Sequence, residues 1–209
     1  MAYGFVDTLA TPAVKAMQDE SGSRAMYARA DVPRDFDRFT AQEAAFIAAR
    51  DSFYIASVAE NGWPYVQHRG GPPGFLTLLD DRTLAFADFR GNRQYLSAGN
   101  VSADGRVALF LMDYPNRRRL KILAHAELKP LADDQALTAR LVDQGYKGRP
   151  ERIWLLRLVA FDWNCPQHIT PRFTEEQVMA AIHPLQERIA ELEARVAGSD
   201  GQTSMPERR

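Results

Sequence analysis

The sequence contains a single cysteine, Cys165, among its 209 residues. An intrachain disulfide needs two cysteines, so none can form, which fits a reducing compartment. The longest unbroken apolar runs, 44–49 and 107–112, are six residues long, whereas a membrane-spanning helix requires about 20. The first twelve residues have neither the basic nor the apolar stretch of a secretory signal. These absences predict a soluble cytoplasmic protein with no membrane partner.

An excess of positive charge is also absent. The chain has 26 Lys and Arg residues against 27 Asp and Glu residues, a formal net charge of −1, so it has no global field that would hold a polyanion. The basic run Arg117–Arg119 has no interleaved aromatic residues and is more typical of a solvated hairpin turn. We therefore expect no nucleic-acid partner.

Patterns for metal, thiol or nucleotide chemistry are weak. The four histidines form no HExxH motif, and Cys165 and His168 make one C-x-x-H pair without the second pair that a structural zinc site needs. The same two residues as nucleophile and base have no further support. The glycine stretch 70–74, GGPPG, matches neither a P-loop nor a GxGxxG fingerprint. We expect no metal site.

Strand patterns dominate the middle of the chain. β-branched and aromatic residues separated by turn residues predict seven strands, at 52–59, 63–69, 75–79, 83–89, 106–113, 118–128 and 153–163. Helices are predicted at 12–18, 40–50 and 133–146, and a further one begins at residue 174. Because the strands follow one another as hairpins and do not alternate with helices, a parallel α/β sheet is disfavoured. Consecutive hairpins close most easily into a barrel, which removes unpaired edges. The prediction is a mainly β fold, an antiparallel barrel with peripheral helices.

Four regions are predicted along the chain: a loosely organised N-terminal arm at 1–39, the barrel domain at 40–173, a C-terminal helix at 174–197 and a disordered tail at 198–209. The apolar residues of the C-terminal helix have 4-3-4-3-4 spacing and are Val178, Ile182, Leu185, Ile189, Leu192 and Val196. This stripe covers about two and a half heptads. It leaves two interpretations open, a helix that lies on its own barrel and a helix that contacts another subunit.

The segment 87–100 predicts an anion site. A strand ends, Gly91 provides a turn, and a short helix is expected from the following polar residue to about Asn100. A helix N-terminus presents free amides to an anion, and Arg90 and Arg93 can add charge-assisted hydrogen bonds to phosphate oxygens. The alternative is an ordinary capped surface helix.

Four segments, in this order and spacing, carry a resemblance to a known family: WPYVQHRGGPPGF, LAFADFRGNRQY, ALFLMDYPNRRRLKI and FDWNCPQHI. They resemble the pyridoxamine 5′-phosphate oxidase-like flavoproteins, and more closely the uncharacterised bacterial branch of that family. The resemblance extends over roughly residues 40–173. It implies a split β-barrel of the FMN-binding type that forms a homodimer and binds FMN at the subunit interface.

The resemblance also implies which residues contact FMN. Residues 92–94 fall where the family has Ser-Arg-Lys around the phosphate, with Gln94 replacing the cation. Arg118 and Arg119 fall where the family reaches the flavin of the other subunit, and Trp163 is expected beside the isoalloxazine ring. The full set of implied cofactor-binding residues is Gln67, His68, Arg69, Asp88, Phe89, Asn92, Arg93, Gln94, Arg118, Arg119, Trp163 and Asn164.

The substrate of the vitamin oxidase is not implied. That enzyme holds pyridoxal phosphate with an Arg-x-His pair beyond the tryptophan, and here His168 and Arg172 have a different spacing. The resemblance therefore implies an FMN-dependent oxidoreductase that acts on an unknown small-molecule substrate or electron donor, with no catalytic residue assigned. The alternative is a non-catalytic flavin- or haem-binding protein that serves storage or sensing.

Overall fold

The computed structural model describes residues 3–27, 37–142, 145–163 and 165–200. The chain divides into two compact units, Met1–Ile169 and Thr170–Arg209, and each is described by itself. Asn164, one of the implied cofactor-binding residues, lies outside the described residues.

The first unit is built on one seven-stranded sheet in which every pair of neighbours is antiparallel. Its strands are β1 (Ser52–Val58), β2 (Pro64–Gly70), β3 (Thr77–Asp80), β4 (Thr83–Phe89), β5 (Arg106–Asp113), β6 (Arg118–Pro130) and β7 (Pro150–Trp163). They are ordered β2-β1-β5-β6-β7-β4-β3. The predicted mainly β, antiparallel fold is confirmed. The first and last residues of every strand lie within three residues of the predicted bounds.

Local turn chemistry explains the hairpins, and one long connection explains the shape. Gly62 has φ of +86°, a left-handed conformation that suits a tight turn between β1 and β2. The connection from β2 to β3 carries the chain from one edge of the sheet to the other. The sheet curls so that Arg69 on β2 reaches Asp88 on β4. Among the described residues, this contact is made by side chains, since β2 and β4 are not neighbours in the sheet.

The main hydrophobic core fills the inside of this curved sheet. Phe86 stacks on Trp154 with ring centroids 5.5 Å apart, and Phe53 meets the edge of Phe86 at 5.4 Å. All three side chains are almost completely buried. A second, smaller cluster lies on the other face of β4 and β7, where Ala85 and Ile153 pack with residues 137–142. Both faces of β4 are therefore covered.

Helices surround the sheet at α1 (Tyr3–Leu9), α2 (Pro12–Glu20), α3 (Arg24–Tyr27), α4 (Ala41–Ala48), α5 (Leu96–Ala103) and α6 (Gln135–Leu141). The capping box predicted at Thr40 is confirmed, since the Thr40 amide donates to Glu43 Oε2 over 2.9 Å. The N-terminal arm contains α1 and α3 in addition to the one predicted helix. Phe5 on α1 is buried with Ala160, which fixes that helix on the sheet.

The second unit contains α7 (Glu175–Asp200), a helix of 26 residues. Thr174 and Gln177 cap its N-terminus reciprocally, with amide-to-oxygen distances of 3.0 and 3.2 Å. The helix continues three residues past the predicted end, and residues 201–209 of the predicted tail lie outside the described residues. No helix within the described ranges combines the length and apolar character that a bilayer crossing demands.

Candidate functional site

Strand β2 divides its three implied site residues between two faces. Gln67 and Arg69 point into the barrel and are partly buried, whereas His68 is exposed on the outside. The His68 ring lies 5.6 Å from the ring of Tyr54 on β1. Because side chains alternate along a strand, Gln67 and Arg69 can line a site inside the barrel. His68 points to the opposite face of β2 and cannot line the same site.

Asp88 is the centre of an ion cluster at the end of β4. Its side chain is buried, Arg69 Nη1 donates to its Oδ1 over 2.5 Å, and Arg152 Nε lies 3.5 Å from Oδ2. The Arg69 guanidinium also lies 5.3 Å from the Trp154 ring centroid and 5.9 Å from that of Phe86. A carboxylate, two aromatic faces and the strand itself therefore fix the orientation of Arg69.

Glu151 extends this cluster towards the surface. Its Oε1 accepts hydrogen bonds from Arg90 Nε at 2.7 Å and from the Tyr95 hydroxyl at 3.3 Å. The hydrogen bond with Arg90 lowers the pKa of Glu151 and raises that of Arg90, so both groups are charged. The Arg152 guanidinium lies over the Tyr95 ring at 4.8 Å. We name Arg69, Asp88, Arg90, Tyr95, Glu151 and Arg152 the Asp88 cluster; three arginines and two carboxylates give it a net charge of +1.

The turn that follows β4 is strained. Arg93 and Tyr95 have φ of +64° and +53°, a left-handed conformation that costs a non-glycine residue roughly 1–2 kcal/mol. Gly91, which the sequence indicated as the turn residue, has no positive φ, and the helix begins at Leu96 and not immediately after the glycine. Strain of this size is concentrated at functional sites. The Asn92 side chain supports the turn by accepting the Gln94 amide at 3.2 Å.

Three buried donors have no hydrogen-bond partner among the described residues: Arg69 Nε, Arg119 Nε and Trp154 Nε1. Such donors are uncommon because an unsatisfied donor costs free energy, and of the three only Arg69 Nε belongs to the Asp88 cluster. Arg93 is exposed and forms no ion pair with a described residue. Gln67 Oε1 is occupied, since it accepts from Ser97 Oγ on α5 at 2.7 Å. The open donors of Arg69 and Arg93 fit an anionic group.

A second group of implied site residues surrounds Trp163 at the end of β7. Trp163 Nε1 donates to Glu43 Oε1 over 2.6 Å, and the Arg118 guanidinium lies 4.6 Å from the indole centroid. Within the described residues, no hydrogen bond, ion pair or ring contact joins this group directly to the Asp88 cluster. Trp163 and Arg152 are eleven positions apart on β7, about 36 Å of extended strand.

Two more of the implied cofactor-binding residues, Phe89 and Arg119, lie apart from both groups, and Asn164 lies outside the described residues. Phe89 packs against Tyr146 with ring centroids 4.7 Å apart and belongs to the small cluster beside α6. Arg119 alternates with Leu120, which is completely buried, and so faces away from the main core. Whether these residues or Asn164 contact a cofactor stays a prediction.

The sequence did not indicate Arg152, Glu151 or Tyr95 as site residues. Arg152 lies directly opposite Asp88 in the pairing of β4 with β7, and opposite charges at such a position stabilise one another. This signal becomes visible only when the register of two strands more than 60 residues apart is known.

The comparisons with known proteins agree with this architecture. The family model described as pyridoxamine 5′-phosphate oxidase matches residues 39–158. No curated protein matches the chain. The HupZ protein of Group A Streptococcus is 15% identical with a TM-score of 0.50, and the match covers 65% of this chain and 100% of that one.

Two further structures resemble the chain more weakly. An FMN-binding protein from Syntrophomonas wolfei is 13% identical with a TM-score of 0.44, and the match covers 73% of this chain and 95% of that one. A Clostridium acetobutylicum protein related to general stress protein 26 is 11% identical with a TM-score of 0.45, covering 66% and 94%. These two likenesses carry no argument, and the likeness to HupZ shows the fold alone. The family model, however, matches more than half of the sequence, and the chain therefore belongs to the pyridoxamine 5′-phosphate oxidase family.

Proposed function

We propose that this protein binds FMN and acts, as a homodimer, as a flavin-dependent oxidoreductase on a small molecule. The observation that carries the proposal is two arginines with unused donors, Arg69 on β2 beside Asp88 and Arg93 on the turn after β4. Arg69 is held rigidly while its buried Nε has no partner among the described residues, and Arg93 stands unpaired on the strained turn that follows. Membership of the pyridoxamine 5′-phosphate oxidase family also supports a flavin as the ligand of this site.

The charge of the Asp88 cluster supports a phosphate ligand. The cluster carries +1, and Arg93 raises the local charge to +2, which matches a phosphate dianion. Arginine donates in a planar fork that fits phosphate oxygens, and hydrogen bonds to charged groups contribute about 1.5–3 kcal/mol each. A neutral nucleoside would leave this charge without a counterpart. The residues therefore fit the phosphate end of FMN better than an uncharged ligand.

Each residue has a separate part in holding the cofactor. Asp88 and the Trp154 face preorient Arg69, Asn92 shapes the turn that presents Arg93, and Gln67 ties β2 to α5 through Ser97. Because these side chains are already held, little conformational entropy is lost when the phosphate binds. FMN, when bound, supplies the electron-transfer chemistry, and the protein supplies its orientation and surroundings.

The outside of the sheet supports the homodimer. Val58, Val66 and Tyr54 on β1 and β2 are 42, 60 and 41% exposed, and they lie on one face of neighbouring strands. A cavity of about 410 Å³ continues this apolar face between β1, β5 and β6. Contiguous apolar surface of this kind marks an interaction site. In the resembled family the second subunit also contributes to the flavin site, which is where Arg118 and Arg119 are expected to act.

A protein that binds flavin or haem without turnover is the second candidate. Among the described titratable groups, those with clearly shifted pKa values are Glu43, Arg90, Asp104, Arg106 and Glu151, and each is held in hydrogen bonds or ion pairs within the protein. These shifts reflect structural contacts, and none of the five assigns a proton-transfer residue. Such a protein would serve storage or sensing, with the chromophore held but not used.

A spectrum and a reduction experiment test the proposal. The purified protein is expected to show flavin absorption, and the extracted chromophore is expected to be FMN. Anaerobic addition of NADH or NADPH, followed by oxygen or an added acceptor, is expected to bleach and restore that absorption repeatedly. A haem spectrum, or failure to bind added FMN, would contradict the proposed cofactor. A bound FMN that neither donor nor acceptor affects would favour storage or sensing.

A further inference from the structure

Helix α7 carries an uncovered apolar stripe along nearly its whole length. Its six aliphatic side chains are between 37 and 63% exposed, and they are Val178, Ile182, Leu185, Ile189, Leu192 and Val196. Monomeric proteins rarely leave a contiguous stripe of this kind open to water. The identity of the residues at each position, and not only their spacing, indicates what covers it.

The stripe follows the residue preferences of a parallel, two-stranded coiled coil. With Ile182 assigned to heptad position a, the other a positions are Ile189 and Val196, and all three are β-branched. The d positions are Val178, Leu185 and Leu192, so the central and the C-terminal ones are leucine. β-Branched residues at a combined with leucine at d favour two strands over three or four in parallel coiled coils.

The charges that flank the stripe favour a parallel over an antiparallel pair. Arg188 occupies position g and Glu193 the following position e. In a parallel pair these positions face one another across the two helices, so Arg188 meets the partner's Glu193 twice by symmetry. The antiparallel pair that buries all six aliphatic residues instead sets Arg188 against its own copy, which is repulsive.

The polar face of α7 does not obstruct this arrangement. Pro184, which interrupts the backbone hydrogen bonds of the helix, occupies position c and lies off the a and d seam. His183 Nδ1 lies 3.6 Å from a carboxylate oxygen of Glu187 on the same outer side. Arg188 Nη1 contacts Glu191 within its own helix, and its other guanidinium nitrogens are free to reach across the seam.

We propose that α7 pairs with α7 of a second copy of this chain in a parallel, two-stranded coiled coil. The proposal rests on the proposed homodimer, but it does not depend on whether the protein binds FMN. The stripe covers fewer heptads than an independent coiled coil usually has. The pairing therefore draws on the high effective concentration that a second contact between the same two copies supplies.

Disulfide trapping in the full-length protein tests the proposal. In a Cys165→Ser background, Leu192→Cys places one thiol at a d position, where the two copies of residue 192 face one another in a parallel pair. Ala194→Cys, at the outward position f, is the matched control. At about 10 µM protein, an effective thiol concentration in the millimolar range makes the Leu192→Cys disulfide form about 100-fold faster than a chance encounter allows. The control is expected to show only the slow rate.

The other outcomes identify what is wrong. Leu185→Cys, at the preceding d position, is expected to cross-link like Leu192→Cys, so a local defect in one variant does not decide the result. Absence of cross-linking in both variants, in a protein that light scattering shows to be a dimer, overturns the coiled coil and leaves the proposed homodimer intact. Cross-linking only when Ile182→Cys and Leu192→Cys chains are mixed would reveal an antiparallel pair and overturn the parallel one. A monomer without cross-links overturns both the coiled coil and the proposed homodimer. FMN titration then still tests the proposed cofactor.

Discussion

Trp163 Nε1 donates a hydrogen bond of 2.6 Å to Glu43 Oε1, which joins the last residue of β7 to the first turn of α4. Glu43 is only 4% exposed, and its other oxygen accepts from the Thr40 amide and hydroxyl. One buried carboxylate thus closes the capping box of a helix and fixes the indole of a distant strand. The polar edge of Trp163 is used by the protein itself, while its face lies against Arg118.

We expect Glu43→Gln to lower the free energy of unfolding by about 1–3 kcal/mol, because a buried donor is left unsatisfied. Both Glu43 oxygens accept hydrogen bonds, but glutamine has only one oxygen, and its amide group must then face the donor of Trp163 or Thr40. Urea denaturation of the wild type and the variant measures the loss.

Glu60→Gln is the matched control, since Glu60 is exposed in the β1–β2 turn and a change there should alter stability by less than about 0.5 kcal/mol. Trp163→Phe removes the opposing donor, so Glu43→Gln should cost less in that background. If the two substitutions prove additive within about 0.5 kcal/mol, the Trp163–Glu43 hydrogen bond does not stabilise the fold.

The same carboxylate should make stability fall in acid. Burial raises the pKa of Glu43, but hydrogen bonds from Thr40 and Trp163 outweigh burial and lower the pKa below its ordinary value of 4.5. The unfolded chain therefore binds a proton at higher pH than the folded one. The contribution of Glu43 is complete above about pH 4.5 and is lost as the pH falls through the folded pKa. Unfolding free energies between pH 7 and pH 3 should fall less steeply for Glu43→Gln than for the wild type; equal slopes would contradict the assigned cause.

Elements encoded by neighbouring residues could be predicted from the sequence. Asn61-Gly62 specifies a turn and Thr40 with Glu43 specifies a helix start, because each signal acts over two to four residues. Strand positions followed from such turns. The order of the strands did not, because β2 and β3 are consecutive in the chain but occupy opposite edges of the sheet.

The candidate site could be predicted only in part for the same reason. Asp88 and Arg93 lie in a segment whose composition indicates an anion site, but Arg152 joins them through the register of β4 with β7. The left-handed backbone of Arg93 and Tyr95 has no sequence signal, since residues of this size rarely adopt it. The sequence indicated the turn at Gly91, but Gly91 has no positive φ.

Asp88→Asn should destabilise the protein strongly. Its carboxylate lies between Arg69 and Arg152 and is 7% exposed, and removal of one partner from a buried ion pair costs about 3–5 kcal/mol. Asp19→Asn serves as the control. Asp19 is exposed and forms a surface ion pair with Arg24 at 3.9 Å, and such pairs contribute at most about 1 kcal/mol. Denaturation measures both losses. Equal effects of the two variants would show that Asp88 does not organise the cluster.

Arg93→Ala should weaken FMN binding by about ten- to a hundredfold, the equivalent of one charge-assisted hydrogen bond of about 1.5–3 kcal/mol. Arg93 is exposed and unpaired among the described residues, so its loss removes no contact that the fold requires. Riboflavin lacks the phosphate, and its weaker affinity should be almost unchanged. Titration of both flavins, followed by fluorescence, gives the two dissociation constants.

Arg117→Ala is the control that separates charge from backbone strain. Arg117 is also an exposed arginine in the left-handed region, with φ of +51° against +64° for Arg93, and its substitution changes the same side chain in the same backbone conformation. If the loss of a left-handed arginine weakened FMN only by destabilising the fold in general, both variants would weaken FMN. If Arg93 binds the phosphate, only Arg93→Ala will do so, and only for the phosphorylated flavin. An equal loss of FMN and riboflavin affinity in Arg93→Ala would mean that the arginine supports the turn and that the phosphate lies elsewhere.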